Sequence, residues 1–188
     1  MLLIRNINSL EQSEIAFWES TVSSSRKAAV LEKRLERGRK QSILGDILCY
    51  KAIAELAGCD IKAIKLGTIG HGKPVCTSHN IFFSISHSGD FVICAAEKSP
   101  IGADIERLRP VTQNLINRVC TEKEIESING SGESFFEVWT AKEAYLKLNG
   151  LGVSAGLKSA EVDLDRKTVN CRQYETRSFD GYVYTIVK

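Results

Sequence analysis

Residues 82–106, FFSISHSGDFVICAAEKSPIGADIE, limit what this chain can fold into more than any other stretch. They hold three short apolar runs broken by two turns. Residues 82–86 and 91–97 are rich in Phe, Ile, Val and Ala, and they flank His87-Ser88-Gly89-Asp90. Lys98-Ser99-Pro100 makes the second break, ahead of residues 101–106. β-formers separated by Gly, Pro, Ser and Asp are strand and hairpin signals. A strand over residues 101–106 puts Asp104 and Glu106 on one face, alternating with Ile105. Two carboxylates so placed repel each other unless something positive lies between them. A hard divalent cation such as Mg²⁺ meets that need, since it is usually held by one or two protein carboxylates plus water and phosphate. Lysines beside a solvated strand face meet it too.

The chain has 188 residues, 43% of them hydrophobic, enough for one large domain or two small ones packed together. Its net charge of +2 gives no global bias toward nucleic acid. Cys49, Cys59, Cys76, Cys94, Cys120 and Cys171 are scattered without a Cys-x-x-Cys pair, which weakens zinc and thioredoxin-like readings. The apolar opening is cut short by Arg5 and Asn6, and no run approaches membrane-spanning length. A reduced, cytoplasmic, soluble protein is the expectation.

Residues 1–7 suit an opening strand. Residues 25–40 suit a helix with Ala28, Leu31 and Leu35 at helical spacing. That segment carries Arg26, Lys27, Lys33, Arg34, Arg37, Arg39 and Lys40 against Glu32 and Glu36. It reads either as a solvated amphipathic helix or as a surface for anions, phosphate in particular. Residues 42–56 continue as a helix with Gly58 just past its end. Residues 62–66 suit a strand, and Gly70-His71-Gly72-Lys73-Pro74 a loop whose glycines let backbone approach a ligand. Thr121-Glu122-Lys123-Glu124 has capping-box form and opens a short helix to about Ile128. Residues 135–148, FFEVWTAKEAYLKL, carry the strongest helical pattern, with Glu143 and Lys147 one turn apart on the same face. Residues 159–164, 168–174 and 182–187 alternate as antiparallel strands do.

With Gly72-Lys73-Pro74, the SISHS run to Ser88, Gly102-Ala103-Asp104-Ile105-Glu106 and the WTAKEAYLK run ending at Lys147 in that order, the sequence resembles the 4′-phosphopantetheinyl transferases. It is most similar to the two-halved, surfactin-synthetase-activating type rather than the short trimeric holo-acyl-carrier-protein synthase type. The resemblance covers roughly residues 26–162. It implies Mg²⁺-dependent transfer of the 4′-phosphopantetheine arm of coenzyme A to a serine of an apo acyl- or peptidyl-carrier protein, with release of 3′,5′-ADP; Mn²⁺ is an alternative metal.

Position by position, the resemblance makes Asp104, Glu106 and Glu143 metal carboxylates. It puts Ser86 and His87 on phosphate, Lys73 after Gly72 and before Pro74 on the nucleotide, and Lys147 on the pyrophosphate, with Lys142 beside the metal glutamate. Glu143, Lys147 and His87 become the catalytic set. Relatives of this kind carry a basic residue just before the Ser that opens the second helix, but Gln41 precedes Ser42 here. Arg39 or Lys40 then takes the 3′-phosphate, and Arg26 is the upstream basic contact.

The fold implied is α+β. Two pseudo-symmetric halves, residues 1–101 and 102–188, each have a small, mainly antiparallel sheet and a long packing helix. Coenzyme A then lies between a nucleotide-binding first half and a metal-binding second half, and one chain, a monomer, holds a complete site. Arg107, Arg109 and residues 112–119 are a candidate carrier surface. No membrane partner is expected, nor nucleic acid, because the basic segment lacks an aromatic stacking platform. Two other readings remain: a Mg²⁺-dependent nucleotide or coenzyme A pyrophosphatase, and a catalytically silent carrier-binding relative.

Overall fold

Two long helices, each laid across a small antiparallel sheet, organise the chain. The computed structural model describes residues 1–70, 72–151 and 156–188. The first half runs β1 (Leu2–Asn6), α1 (Gln12–Thr21), α2 (Ser24–Leu31), α3 (Glu36–Ala57), β2 (Leu66–Ile69), β3 (Lys73–Cys76), β4 (Phe82–Ser88) and β5 (Phe91–Glu97). The second runs β6 (Gly102–Arg107), α4 (Gln113–Val119), α5 (Glu122–Ile128), α6 (Gly132–Asn149), β7 (Val162–Asp163), β8 (Thr168–Val169), β9 (Arg172–Phe179) and β10 (Tyr182–Val187). The α+β architecture expected from the sequence is present, with sheets ordered β1-β5-β4 and β6-β10-β9-β8-β7 and a separate β2-β3 hairpin.

Helix α3 is buried at every position from Gln41 to Tyr50, because its sheet covers one side and α1 and α2 the other. It stops where Gly58 turns left-handed, with φ 62°, a conformation that costs glycine least. The same sheet–helix logic builds the second half, where α6 lies over β6 and β10. There Gly102 is obligatory: a Cβ at that position would overlap the Ala144 carbonyl and press on Leu148. A third apolar cluster, including Ile93, Ile101, Ile105 and Tyr184, binds the two halves to each other.

Several local expectations need correction. Residues 25–40 are not one helix: α2 ends at Leu31 and α3 begins at Glu36. Leu31 and Leu35 are 66% and 75% exposed, while Val30 is fully buried. The break lets α2 bury Val30 and α3 bury residues 41–50 at once. The strand expected over residues 62–66 is a 3-10 turn at Ile61–Ala63, and β2 starts at Leu66. Residues 168–174 divide into β8 and the start of β9, since Asn170 and Cys171 both have positive φ. Helix α1 is absent from the sequence reading. Among the described residues, no helix is long and apolar enough to cross a membrane.

The two sheets meet edge to edge where β4 passes β6. No backbone ladder joins them; alternate serines of β4 do. Ser84 Oγ donates to the Ala103 carbonyl (3.3 Å), Ser86 Oγ to Asp104 Oδ1 (2.6 Å) and Ser88 Oγ to Glu106 Oε2 (2.7 Å). The Arg107 amide donates back to Ser88 Oγ (3.1 Å). The residues that alternate with these serines, Phe83, Ile85 and His87, line a cleft on the other side of the strand, as the two-residue period of a strand requires.

Candidate active site

The seam is where carboxylates of the second half collect. Asp104 is 5% exposed, and its Oδ1 accepts from both Ser86 Oγ and Lys147 Nζ, each at 2.6 Å. Its Oδ2 is buried with no partner, a costly state for a carboxylate oxygen unless something electropositive meets it. Glu106 Oε2 accepts from Ser88 and, at 3.1 Å, from Arg109. Glu143 comes down from α6 one turn before Lys147. Burial, then the Asp104 charge, pushes its carboxyl up to about 7, with Glu106 adding to the rise and Lys147 opposing it. Among the described residues, no three His, Cys, Asp or Glu side chains are drawn together around one point as for a bound metal. Instead, Lys147 and Arg109 supply the positive charge at this cluster. The donor set still fits a hard cation: oxygen-only, partly buried, with a free Asp104 oxygen and a Glu143 charge that burial and Asp104 leave poorly compensated.

Ser86 lies on the carboxylate side of β4, donating to Asp104 and accepting from Lys147 Nζ at 2.8 Å, while His87 faces the cleft. Lys142 needs correction. It is fully buried on the far side of α6, donating to Glu124 Oε2 at 2.7 Å and to the Val119 carbonyl at 3.0 Å. Glu124 in turn accepts from the amides of Thr121 and Val162, both at 2.7 Å. This pair ties α6 to α5 and to β7, and Lys142 lines neither cavity of the site. Trp139, a turn before Glu143, packs on Phe135 and under Arg109. Arg109 lies over these rings with 45% of its side chain still exposed.

On the first-half side, a cleft of about 620 Å³ is lined by Arg26, Lys33, Gln41, Ser42, Gly72, Pro74 and His87, among others. A smaller cavity of about 240 Å³ continues it past Gly72, Lys73, Pro74, Phe83 and Ile85 to Lys147. The groove thus runs from the basic segment to the carboxylate seam. His87 is held below the usual histidine range, first by loss of water around the ring and then by Lys33 and Lys147. Burial also lowers the Lys73 ammonium, which donates to the Leu148 carbonyl at 2.7 Å, so the β3 end of the groove is fastened to the end of α6. His71, in the expected glycine loop, lies outside the described residues.

Arg26 reaches the cleft, gripping Asp46 with Nε and Nη2 at 3.1 Å each, while Trp18 Nε1 donates to the same carboxylate at 2.9 Å. Arg39 and Lys40 do not line it. Arg39 Nη1 donates to the Lys33 carbonyl at 2.9 Å, and Lys40 pairs with Glu36 at 2.9 Å. Gln41 Nε2 instead holds the Gly89 carbonyl of the β4–β5 turn at 2.8 Å. Lys33, Asp46 and the seam serines Ser84 and Ser88 escaped the sequence reading as site residues. The serines are legible as a period-two run and Lys33 as one charge of the basic segment; Asp46 carries no local signal.

Comparison with known proteins agrees with this architecture. A family model described as "4'-phosphopantetheinyl transferase, N-terminal" matches residues 9–99, and one for the "4'-phosphopantetheinyl transferase superfamily" matches residues 100–187. A 4′-phosphopantetheinyl transferase of Aneurinibacillus migulanus is 29% identical over 97% of this chain and 82% of its own length. One from Bacillus subtilis is 31% identical over 73% of this chain and 67% of its own. One from Bacillus pumilus is 33% identical over 73% and 62%. A two-halved α+β chain with carboxylates and lysine at the junction defines a phosphoryl-group-transfer class of site. The chain belongs to the 4′-phosphopantetheinyl transferase superfamily, and it is an enzyme of that family.

Lys142→Met leaves Glu124 charged and buried with only backbone donors. Its expected cost is on the order of 3–5 kcal/mol, read as a fall in Tm of roughly 10 °C. An unchanged melting temperature would contradict the buried pair.

Proposed function

We propose that this chain moves the 4′-phosphopantetheine arm of coenzyme A onto a serine of an apo acyl- or peptidyl-carrier protein and releases 3′,5′-ADP, with Mg²⁺ or Mn²⁺ as metal. The observation that carries this reading is the seam. It sets Lys147, bonded to Asp104 and one turn from Glu143 on α6, at the end of a basic groove built by the first half. The division of labour follows the halves, with residues 1–101 holding the nucleotide and residues 102–188 the metal. Both contributions come from one chain, so a monomer suffices. The free cysteines fit a reducing compartment such as the cytoplasm.

In the reaction, the carrier serine Oγ forms a bond to the phosphorus bearing pantetheine, and that phosphorus loses its bond to the bridging pyrophosphate oxygen. The proton of the serine hydroxyl passes to the Glu143 carboxylate, directly or through a water, from its place on α6 one turn before Lys147. Lys147 can leave Asp104 for the pyrophosphate oxygens and offset the charge that grows on the departing 3′,5′-ADP. His87 contacts a phosphate from the cleft wall. Asp104, Glu106 and Glu143 would hold the metal, which when bound neutralises phosphate oxygens as a Lewis acid.

Intact mass of apo carrier proteins incubated with this protein, coenzyme A and Mg²⁺ tests the reading. The expected result is the gain of one phosphopantetheine, abolished by chelator and reduced at least about a hundredfold in Glu143→Ala. Coenzyme A cleaved without any carrier gaining mass would favour a pyrophosphatase instead. Coenzyme A bound but left intact would point to a silent relative.

His87 gives a second test. A phosphate beside it favours its charged form, so binding takes up a proton, and affinity rises as pH falls toward the ring's depressed value. Titrating coenzyme A from about pH 8 to about pH 6 should show a steeper gain for wild type than for His87→Asn, which cannot titrate. Parallel slopes would remove His87 from the phosphate.

A further inference from the structure

Gln41 lines the first-half cleft from α3, yet its amide is turned to the far end of β4. The residue is 8% exposed, and a polar group so buried is costly unless it is bonded. Its Nε2 donates to the Gly89 carbonyl at 2.8 Å. Gly89 and Asp90 make the two-residue turn between β4 and β5, with Gly89 at φ 53°, a backbone setting such turns reserve for glycine. The turn also has no slack toward the second half, since a Cβ on Gly89 would overlap the Tyr182 hydroxyl.

The turn needs a hold from outside its own hairpin. On one edge β4 is laddered to β5, with His87 opposite Val92 and Ser88 opposite Phe91. Its other edge meets β6 through serine hydroxyls alone. A hairpin end with a ladder on one side opens more easily than the strands behind it. Three hydrogen bonds restrain it: the Ile7 amide on the Asp90 carbonyl (2.8 Å), the Asp90 amide on the Tyr182 hydroxyl (3.1 Å) and Gln41 on Gly89. Arg37, one turn earlier on α3, adds an exposed ion pair to Asp90, which contributes little. Of the three hydrogen-bonding residues, Gln41 alone lines the cleft that His87 faces. Helix and strand are in close contact there, because a Cβ on Gly45, one turn after Gln41, would come within 3.0 Å of Ile85 Cγ2.

We propose that Gln41 is a positioning residue for the transfer reaction: through the Gly89 carbonyl it fixes the end of β4 so that the His87 ring stands against a phosphate in the cleft. The assignment deepens the coenzyme A reading above and rests on it. Gln41 acts through His87 rather than on the ligand.

Gln41→Met keeps the length of the side chain without its donor, and Gln41→Asn falls one methylene short of the turn. Calorimetric titration of coenzyme A into wild type, each of these, His87→Asn and the two double variants tests the proposal. Either Gln41 variant should weaken binding by roughly three- to tenfold. Neither should weaken His87→Asn much further, because effects that pass through one residue do not add. In the free proteins, proton NMR of the His87 ring, assigned by its absence from His87→Asn, gives a second readout. Its titration, held below the usual histidine range by loss of water, should move up toward that range once the turn is loosened. A Gln41→Met protein of wild-type melting temperature whose loss adds fully to that of His87→Asn, or that binds as wild type does, overturns the assignment. A His87 titration moved by neither variant overturns it too. Wild type that binds no coenzyme A overturns the coenzyme A reading, and the His87 titration then decides whether Gln41 holds the ring.

Discussion

The contact on which everything else depends is the three-way junction of Ser86, Asp104 and Lys147. It joins a strand of the first half, a strand of the second and the helix that packs across the second. An open sheet edge is a row of unpaired backbone groups. Here β4 and β6 approach edge to edge and are joined by serine hydroxyls rather than by a ladder. That linkage engages the β6 carboxylates with β4 hydroxyls and leaves Lys147 to reach both the seam and the groove. The apolar cluster of Ile93, Ile105 and Tyr184 stabilises the same junction from within.

Charge at the junction is balanced in a way that suits a site meant to change partners. Asp104 has one oxygen held by two donors and one held by none. Glu143 is raised to about 7 because it shares a partly dry space with two other acids. Lys147 keeps about a third of its side chain exposed, so in the proposed reaction it can turn to a phosphate without breaking the core. The contrast with Lys142 is instructive. Five residues earlier on α6, that lysine has no exposure at all and a saturated partner in Glu124, and its bond is structural.

The fold was largely legible because its signals are local. The alternation in residues 82–106 gave β4, β5 and β6; the Thr121–Glu124 capping box is present as read; and α6 follows its apolar spacing. Where the reading failed, a long-range contact decided. Val30, not Leu31, is buried because α2 leans on α3, and no periodicity within residues 25–40 contains that fact. The site was legible in its acids and in Lys147, since spacing on a strand and a helix fixes their faces. Lys142 went wrong because adjacency in sequence puts side chains about a hundred degrees apart on a helix. Lys33 was missed because only the break between α2 and α3 aims it at the cleft.

In the proposed reaction, second-half carboxylates place a metal against the pyrophosphate, while the first half holds the nucleotide farther along the groove. Phosphorus NMR of coenzyme A bound to the protein with a trace of Mn²⁺ tests it most directly, with Asp104→Asn as the comparison. The account predicts that wild type broadens the two pyrophosphate resonances well beyond the 3′-phosphate resonance, and that Asp104→Asn loses the difference. Equal broadening of all three resonances, or broadening indifferent to Asp104, would contradict it.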